Sequence, residues 1–178
     1  AARAARLSAR VPQAPVASRW HSSPRLDYAE GLYAEGWKGT LEDAAATPVT
    51  DVSHWRQVVF VRELMLWVVV DVLRSTAEHR YTQVWKFSPP KNGLPVPGFQ
   101  REQVLWSAET RTVRTADKAP GAVNLSLLQF GAAEVSYRGF FGDPPHGYFA
   151  AGPLAEPVPA MDVHASWQGR GPQVVMTL

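Results

Sequence analysis

The sequence has no cysteine, so any metal ion would need histidine and carboxylate ligands. His54 opens the run His54-Trp-Arg-Gln-Val-Val-Phe-Val. Its imidazole is the best candidate metal ligand in the chain, but a structural zinc takes about four donors and one histidine is not a site. His79 follows Glu78 and precedes an alternating stretch. Histidine titrates near neutrality and serves as acid or base. The simpler role for His79 is a turn residue bonded to a backbone carbonyl. Asp71 lies near the end of an apolar stretch, where a buried carboxylate requires a partner. Arg56 and Arg74 are the cations that offer one.

The segment from Trp20 to Tyr33 holds His21, Asp27, Tyr28 and Glu30, a set suited to metal binding or acid-base work. Their spacing places them on both faces of a strand. Tyr28 and Tyr33 likewise fall on opposite faces. Tyr81, Trp85 and Phe87 form an alternating stripe that suits either a core or a surface on which sugar rings stack. Phe140 and Phe141, in a Gly/Pro-rich loop, are the better exposed aromatics. Arg101, Arg111, Arg114 and Lys118 can attract a polyanionic glycan, although such charges also serve only to solvate a sheet. A phosphate-binding glycine loop, a nucleophile elbow and a zinc-protease helix are all absent from the sequence.

The elements that must position these groups are strands. Fifteen prolines and thirteen glycines are spread through the chain and punctuate short apolar runs, as in all-β proteins. Strands are predicted from Val52 to Arg62, Leu64 to Leu73 and His79 to Phe87. The first two are joined by a two-residue turn at Arg62-Glu63. Leu64 to Leu73 is apolar on both faces and predicts a central, covered strand. Leu26 to Trp37, Arg111 to Thr115, Ala122 to Phe130, Glu134 to Phe140, Tyr148 to Leu154, Met161 to Trp167 and Gln173 to Leu178 are further strand candidates. About ten or more strands at this spacing predict an all-β fold, a large antiparallel β-sandwich with little or no helix.

Composition narrows the function classes. A hydrophobic share of 46% with 19% charged residues describes a globular chain. The formal net charge of +2 is too small to imply nucleic acid. The longest apolar run is about half of a membrane span and contains Asp71. Residues 1 to 26 carry five arginines and no acid, the composition of a transit peptide. Pro12 and Pro15 would interrupt an amphipathic helix there, which favours an exposed strand and loop.

Four stretches carry a resemblance. They are Trp20-His-Ser-Ser-Pro-Arg-Leu-Asp-Tyr-Ala-Glu-Gly-Leu-Tyr33, then His54-Trp-Arg-Gln-Val-Val-Phe-Val, then Trp67-Val-Val-Val-Asp71 with His79 and Trp85-Lys-Phe-Ser-Pro89, and finally the part from Gly139-Phe-Phe-Gly142 to Val-Val-Met-Thr-Leu178. In this order they resemble the C-terminal β-sandwich of the heparinase II/III-like polysaccharide lyases. The family joins an N-terminal α-helical toroid to this sandwich and cleaves uronic-acid polysaccharides by β-elimination. A base takes the proton at C5 of the uronate, and an acid, commonly a tyrosine, protonates the leaving oxygen.

The resemblance implies that residues 1–178 are one sandwich domain cut at both ends, with the toroid and most of the catalytic groups outside it. It implies no catalytic residue here. It also implies a structural zinc in the parent protein, with two histidines and one aspartate as ligands. His54 would be the last ligand, the others lying upstream of Ala1, so the isolated chain is expected to bind none. The implied partners are the toroid and an acidic polysaccharide, with no nucleic acid and no membrane span. The implied location is periplasmic or secreted. A free-standing carbohydrate-binding sandwich and a structural sandwich of another secreted protein are the alternatives.

Overall fold

The structure, a computed structural model, describes residues 17–36, 49–87, 104–118, 120–131, 134–139, 148–149, 158–159 and 161–178. Its strands are β1 (Ala17–Ser22), β2 (Leu26–Tyr33), β3 (Ser53–Val61), β4 (Leu66–Arg74), β5 (His79–Phe87), β6 (Val104–Ser107), β7 (Thr112–Thr115), β8 (Ser126–Phe130), β9 (Glu134–Gly139), β10 (Tyr148–Phe149), β11 (Val158–Pro159), β12 (Met161–Gly169) and β13 (Gln173–Thr177). Among the described residues the one helical element is a 3-10 turn at Arg62–Leu64. The fold is the all-β, antiparallel sandwich that the punctuation predicted. Phe140, Phe141 and Arg101 lie outside the described residues.

The chain divides into two compact units, residues 1–79 with 169–178, and residues 80–168. In the first unit the strands follow the order β1-β2-β3-β4-β13. Each neighbouring pair is antiparallel. Strand β4 is central, as its apolar run predicted, but its two faces differ. Val69, Asp71 and Leu73 are buried, together with Val175 and Thr177 of β13. The alternate residues of β4 are half-buried, and Val174 is exposed.

The β3–β4 connection departs from the predicted two-residue turn. Such turns need central residues at positive φ, which favours Asn and Gly, and Arg62-Glu63 offers neither. Instead the chain makes the 3-10 turn and closes it at Met65, in the left-handed region at φ 49°. The Met65 N–H donates to the Arg62 carbonyl at 3.2 Å.

The second unit contains the ladders β5-β12-β9 and β10-β11 and the strands β6, β7 and β8, paired in that order. Its core joins Phe87 of β5 and Val163 of β12 to Val104, Val113 and Leu127 of β6, β7 and β8, with Trp85 packed against them. Each such side chain, fully buried, contributes about 1.5–3 kcal/mol. Tyr81 stacks on Trp167 with ring centroids 5.6 Å apart. The alternating stripe of β5 is therefore core, since Tyr81 and Phe87 are buried. Buried Gln83 is satisfied within this core. Its Oε1 accepts from Gln129 Nε2 at 3.0 Å and from Trp85 Nε1 at 2.8 Å.

Candidate functional site

Strand register builds a cluster in the first unit that pairs an imidazole with a fully buried acid. Arg56 of β3 stands directly opposite Asp71 of β4, and His54 opposite Leu73, two residues along. Directly opposed and diagonal residues share a face. Arg56 donates to Asp71 twice, Nε to Oδ1 at 2.6 Å and Nη2 to Oδ2 at 2.9 Å. This is the bidentate geometry that suits a guanidinium and a carboxylate. His54 Nε2 lies 2.6 Å from the same Oδ1. The side chain of Asp71 is 2% exposed, against 26% for His54 and 44% for Arg56.

Burial pushes the Asp71 carboxyl up, but the hydrogen bonds and charges of His54 and Arg56 outweigh it and hold the pKa at about 2. Asp71 is thus an anion at neutral pH. A carboxylate only accepts, so His54 Nε2–H is the donor to Asp71. Among the described residues Nδ1 makes no hydrogen bond. A carboxylate behind one ring nitrogen fixes the orientation of the ring. The arrangement suits a single metal–nitrogen bond or a proton transfer at Nδ1.

It does not supply a complete metal site. Among the described residues no three His, Cys, Asp or Glu side chains gather to hold an ion. Both Asp71 oxygens are already engaged by Arg56 and His54. Among the described residues this cluster would offer a zinc ion His54 as a single donor.

The other sequence candidates separate. His79 Nε2 lies 2.9 Å from Asp51 Oδ1. Asp51 Oδ2 accepts from the Ala77 and Thr76 N–H groups at 3.0 and 3.2 Å and from Thr76 Oγ1 at 3.0 Å. These donors, the Ala77 N–H foremost, hold the Asp51 carboxyl far below the usual carboxylate range. The cluster fastens the β4–β5 turn. Sequence reading missed Asp51. A lone acid before a strand is a weak signal, and its donors lie 25 to 28 residues away.

The segment from Trp20 to Tyr33 gathers no site. Glu30 and Tyr28 share one face, where the Tyr28 hydroxyl donates to Glu30 Oε2 at 2.6 Å. Gln57 Nε2 donates to the Tyr28 oxygen at 3.0 Å. Asp27 faces the other way and takes Arg62 Nη2 on both oxygens, at 2.7 and 2.6 Å, and Ser22 Oγ at 2.6 Å. His21 pairs with Tyr28 across the strands.

Comparison with known proteins bears on the fold. No family model matches the sequence, and no curated protein matches it. Among solved structures, the chain is similar to a heparan sulfate lyase HepC mutant from Pedobacter heparinus, with TM-score 0.61 and 13% identity over 94% of this chain and 22% of that one. A heparinase III matches with TM-score 0.59 and 13% identity, over 91% of this chain and 21% of its own. A further heparinase III, with methylated lysines, matches with TM-score 0.58 and 16% identity, over 90% and 20%. At these identities the likeness is one of fold. This chain spans about a fifth of each neighbour's length.

Proposed function

We propose that this chain is the C-terminal β-sandwich of a heparinase II/III-like lyase acting by β-elimination on uronic-acid polysaccharide. The observation that carries the reading is the fold match over nine-tenths or more of the chain to three such lyases. The four sequence stretches that resemble the same family support it independently. In this reading an N-terminal toroid supplies the catalytic groups, the sandwich helps wall the cleft, and the whole enzyme works in the periplasm or outside the cell. Structural zinc in that enzyme would take His54 through Nδ1, because Nε2 is held by Asp71. Asp71 and Arg56 orient the ring.

The experiment is a product assay on uronic-acid polysaccharides, following the ultraviolet absorbance of the unsaturated uronate. The full-length protein that carries this sequence is expected to form the product, and residues 1–178 alone are not. Absence of product from the full-length protein on every uronan tried would remove the lyase reading. A second reading, a carbohydrate-binding module, is favoured by the exposed indoles of Trp20 and Trp67, at 72% and 52%. It predicts glycan binding with no elimination in any form of the protein.

A further inference from the structure

The strand expected from Ala122 begins only at Ser126, which leaves residues 122–125 in the connection between β7 and β8. This connection turns at Pro120-Gly121. Gly121 has φ +78°, and a side chain added there would meet nothing within 4 Å, so the turn stands open to solvent. Its base is tied to β7. The Thr115 N–H donates to the Leu125 carbonyl at 2.9 Å, and the Leu125 N–H donates to Thr115 Oγ1 at 2.8 Å.

The segment just before β8 reads Asn124-Leu-Ser126, the acceptor pattern of N-glycosylation, with a middle residue other than proline. Asn124 and Ser126 are both exposed. An acceptor must reach into a transferase, which an exposed loop permits and a strand inside a ladder does not. The sequence has two asparagines, and Asn92 is followed by Gly-Leu, so Asn124 is the one within the pattern.

The amide of Asn124 is arranged so that its oxygen carries the loop. Oδ1 accepts from the Asp117 N–H at 2.7 Å and from Thr115 Oγ1 at 3.1 Å. A covalent bond made at Nδ2 leaves both of these in place. Nδ2 donates to the Asp117 carbonyl at 3.1 Å, an exposed bond for which water can substitute. On either side, Val123 and Leu125 are 94% and 50% exposed. A hydrated oligosaccharide beside these apolar side chains would screen them from other proteins.

We propose that Asn124 is an acceptor for N-linked oligosaccharide. The donor class is an oligosaccharide joined through its anomeric carbon to a polyprenyl diphosphate. The Nδ2–C1 bond forms as the C1–O bond breaks. The diphosphate leaves with the electron pair, and the proton lost from Nδ2 goes to a base of the transferase. Export of the protein, which this modification requires, rests on the lyase reading. The exposed acceptor does not.

The test is secretion of the full 178-residue chain, behind a signal peptide, from a host that N-glycosylates its exported proteins. Intact mass is expected to show a discrete oligosaccharide increment. Peptide-N-glycosidase should remove it and convert Asn124 to aspartate. Ser126→Ala should abolish the increment while leaving Asn124 and its three hydrogen bonds in place. Asn124→Gln should abolish it independently, and Ser126→Thr should keep it. The glycosylated chain is expected to melt no lower than Ser126→Ala, because the bonds to Oδ1 persist.

A secreted chain without the increment, or an increment that persists in Ser126→Ala, would overturn the proposal. So would a glycosylated chain that melts well below Ser126→Ala, since the folded loop would then not accommodate the sugar. This readout involves no cleavage of a polysaccharide. Its failure leaves the lyase reading to the product assay, and a glycosylated protein that yields no unsaturated uronate does the reverse.

Discussion

Removing the Asp71 carboxylate leaves Arg56 and His54 facing a buried position without its anion. Breaking a buried ion pair in this way costs about 3–5 kcal/mol, and the half-exposure of Arg56 places the loss toward the lower end. Asp71→Asn is therefore expected to destabilise the fold by about 3 kcal/mol in urea unfolding. Its pH dependence is fixed by the direction of the shift. Asp71 titrates near 2 when folded, below the usual 3.8. The stability it contributes is present above about pH 4 and is lost as pH falls toward 2, about 2 kcal/mol in all. The gap between wild type and Asp71→Asn should narrow over that window. A gap that stays constant would mean that charge at Asp71 is not what the pair contributes. At this scale the sequence made His54 and Asp71 visible, because a histidine and an acid interrupt Val-rich runs. It left Arg56 and Arg74 equally available to Asp71, since only register decides between them.

Two backbone positions govern how the strands connect. Gly36 has φ +76°, and a Cβ there would lie 2.5 Å from the Val49 carbonyl oxygen and 2.9 Å from the Thr50 Cα. Both are backbone atoms, so the chain after β2 must shift to admit any side chain. Gly36→Ala is expected to lower stability by about 2 kcal/mol, combining positive-φ strain with the clash. Thermal unfolding reads this, and an unchanged melting point would show that the close approach is not maintained. Met65 presents the opposite case. It is 78% exposed and left-handed, so Met65→Gly removes strain without loss of packing. A gain of about 0.5 kcal/mol is expected after the greater freedom of glycine in the unfolded chain is set against it. Strand positions were legible because β3 and β4 carry short apolar runs bounded by polar residues, and β5 alternates over much of its length. The connection at Arg62 was not, because a 3-10 turn closed by a methionine leaves no Gly or Asn to mark it.

For the whole chain, sequence and structure agree on an antiparallel β-sandwich. Composition and rhythm carried the fold class because strands average their signal over many residues. A site depends on a few side chains brought together by register, and in the proposed enzyme the completing groups would belong to another part of the protein. The central claim is that this sandwich serves an elimination chemistry located elsewhere in a longer enzyme. Complementation measures it most directly. The full-length protein is divided ahead of residue 1, and the two parts are assayed for unsaturated uronate separately and mixed. The account predicts little product from the preceding part alone, none from residues 1–178 alone, and product restored by mixing. Rapid product from residues 1–178 alone, or a preceding part whose full rate is indifferent to their addition, would contradict it.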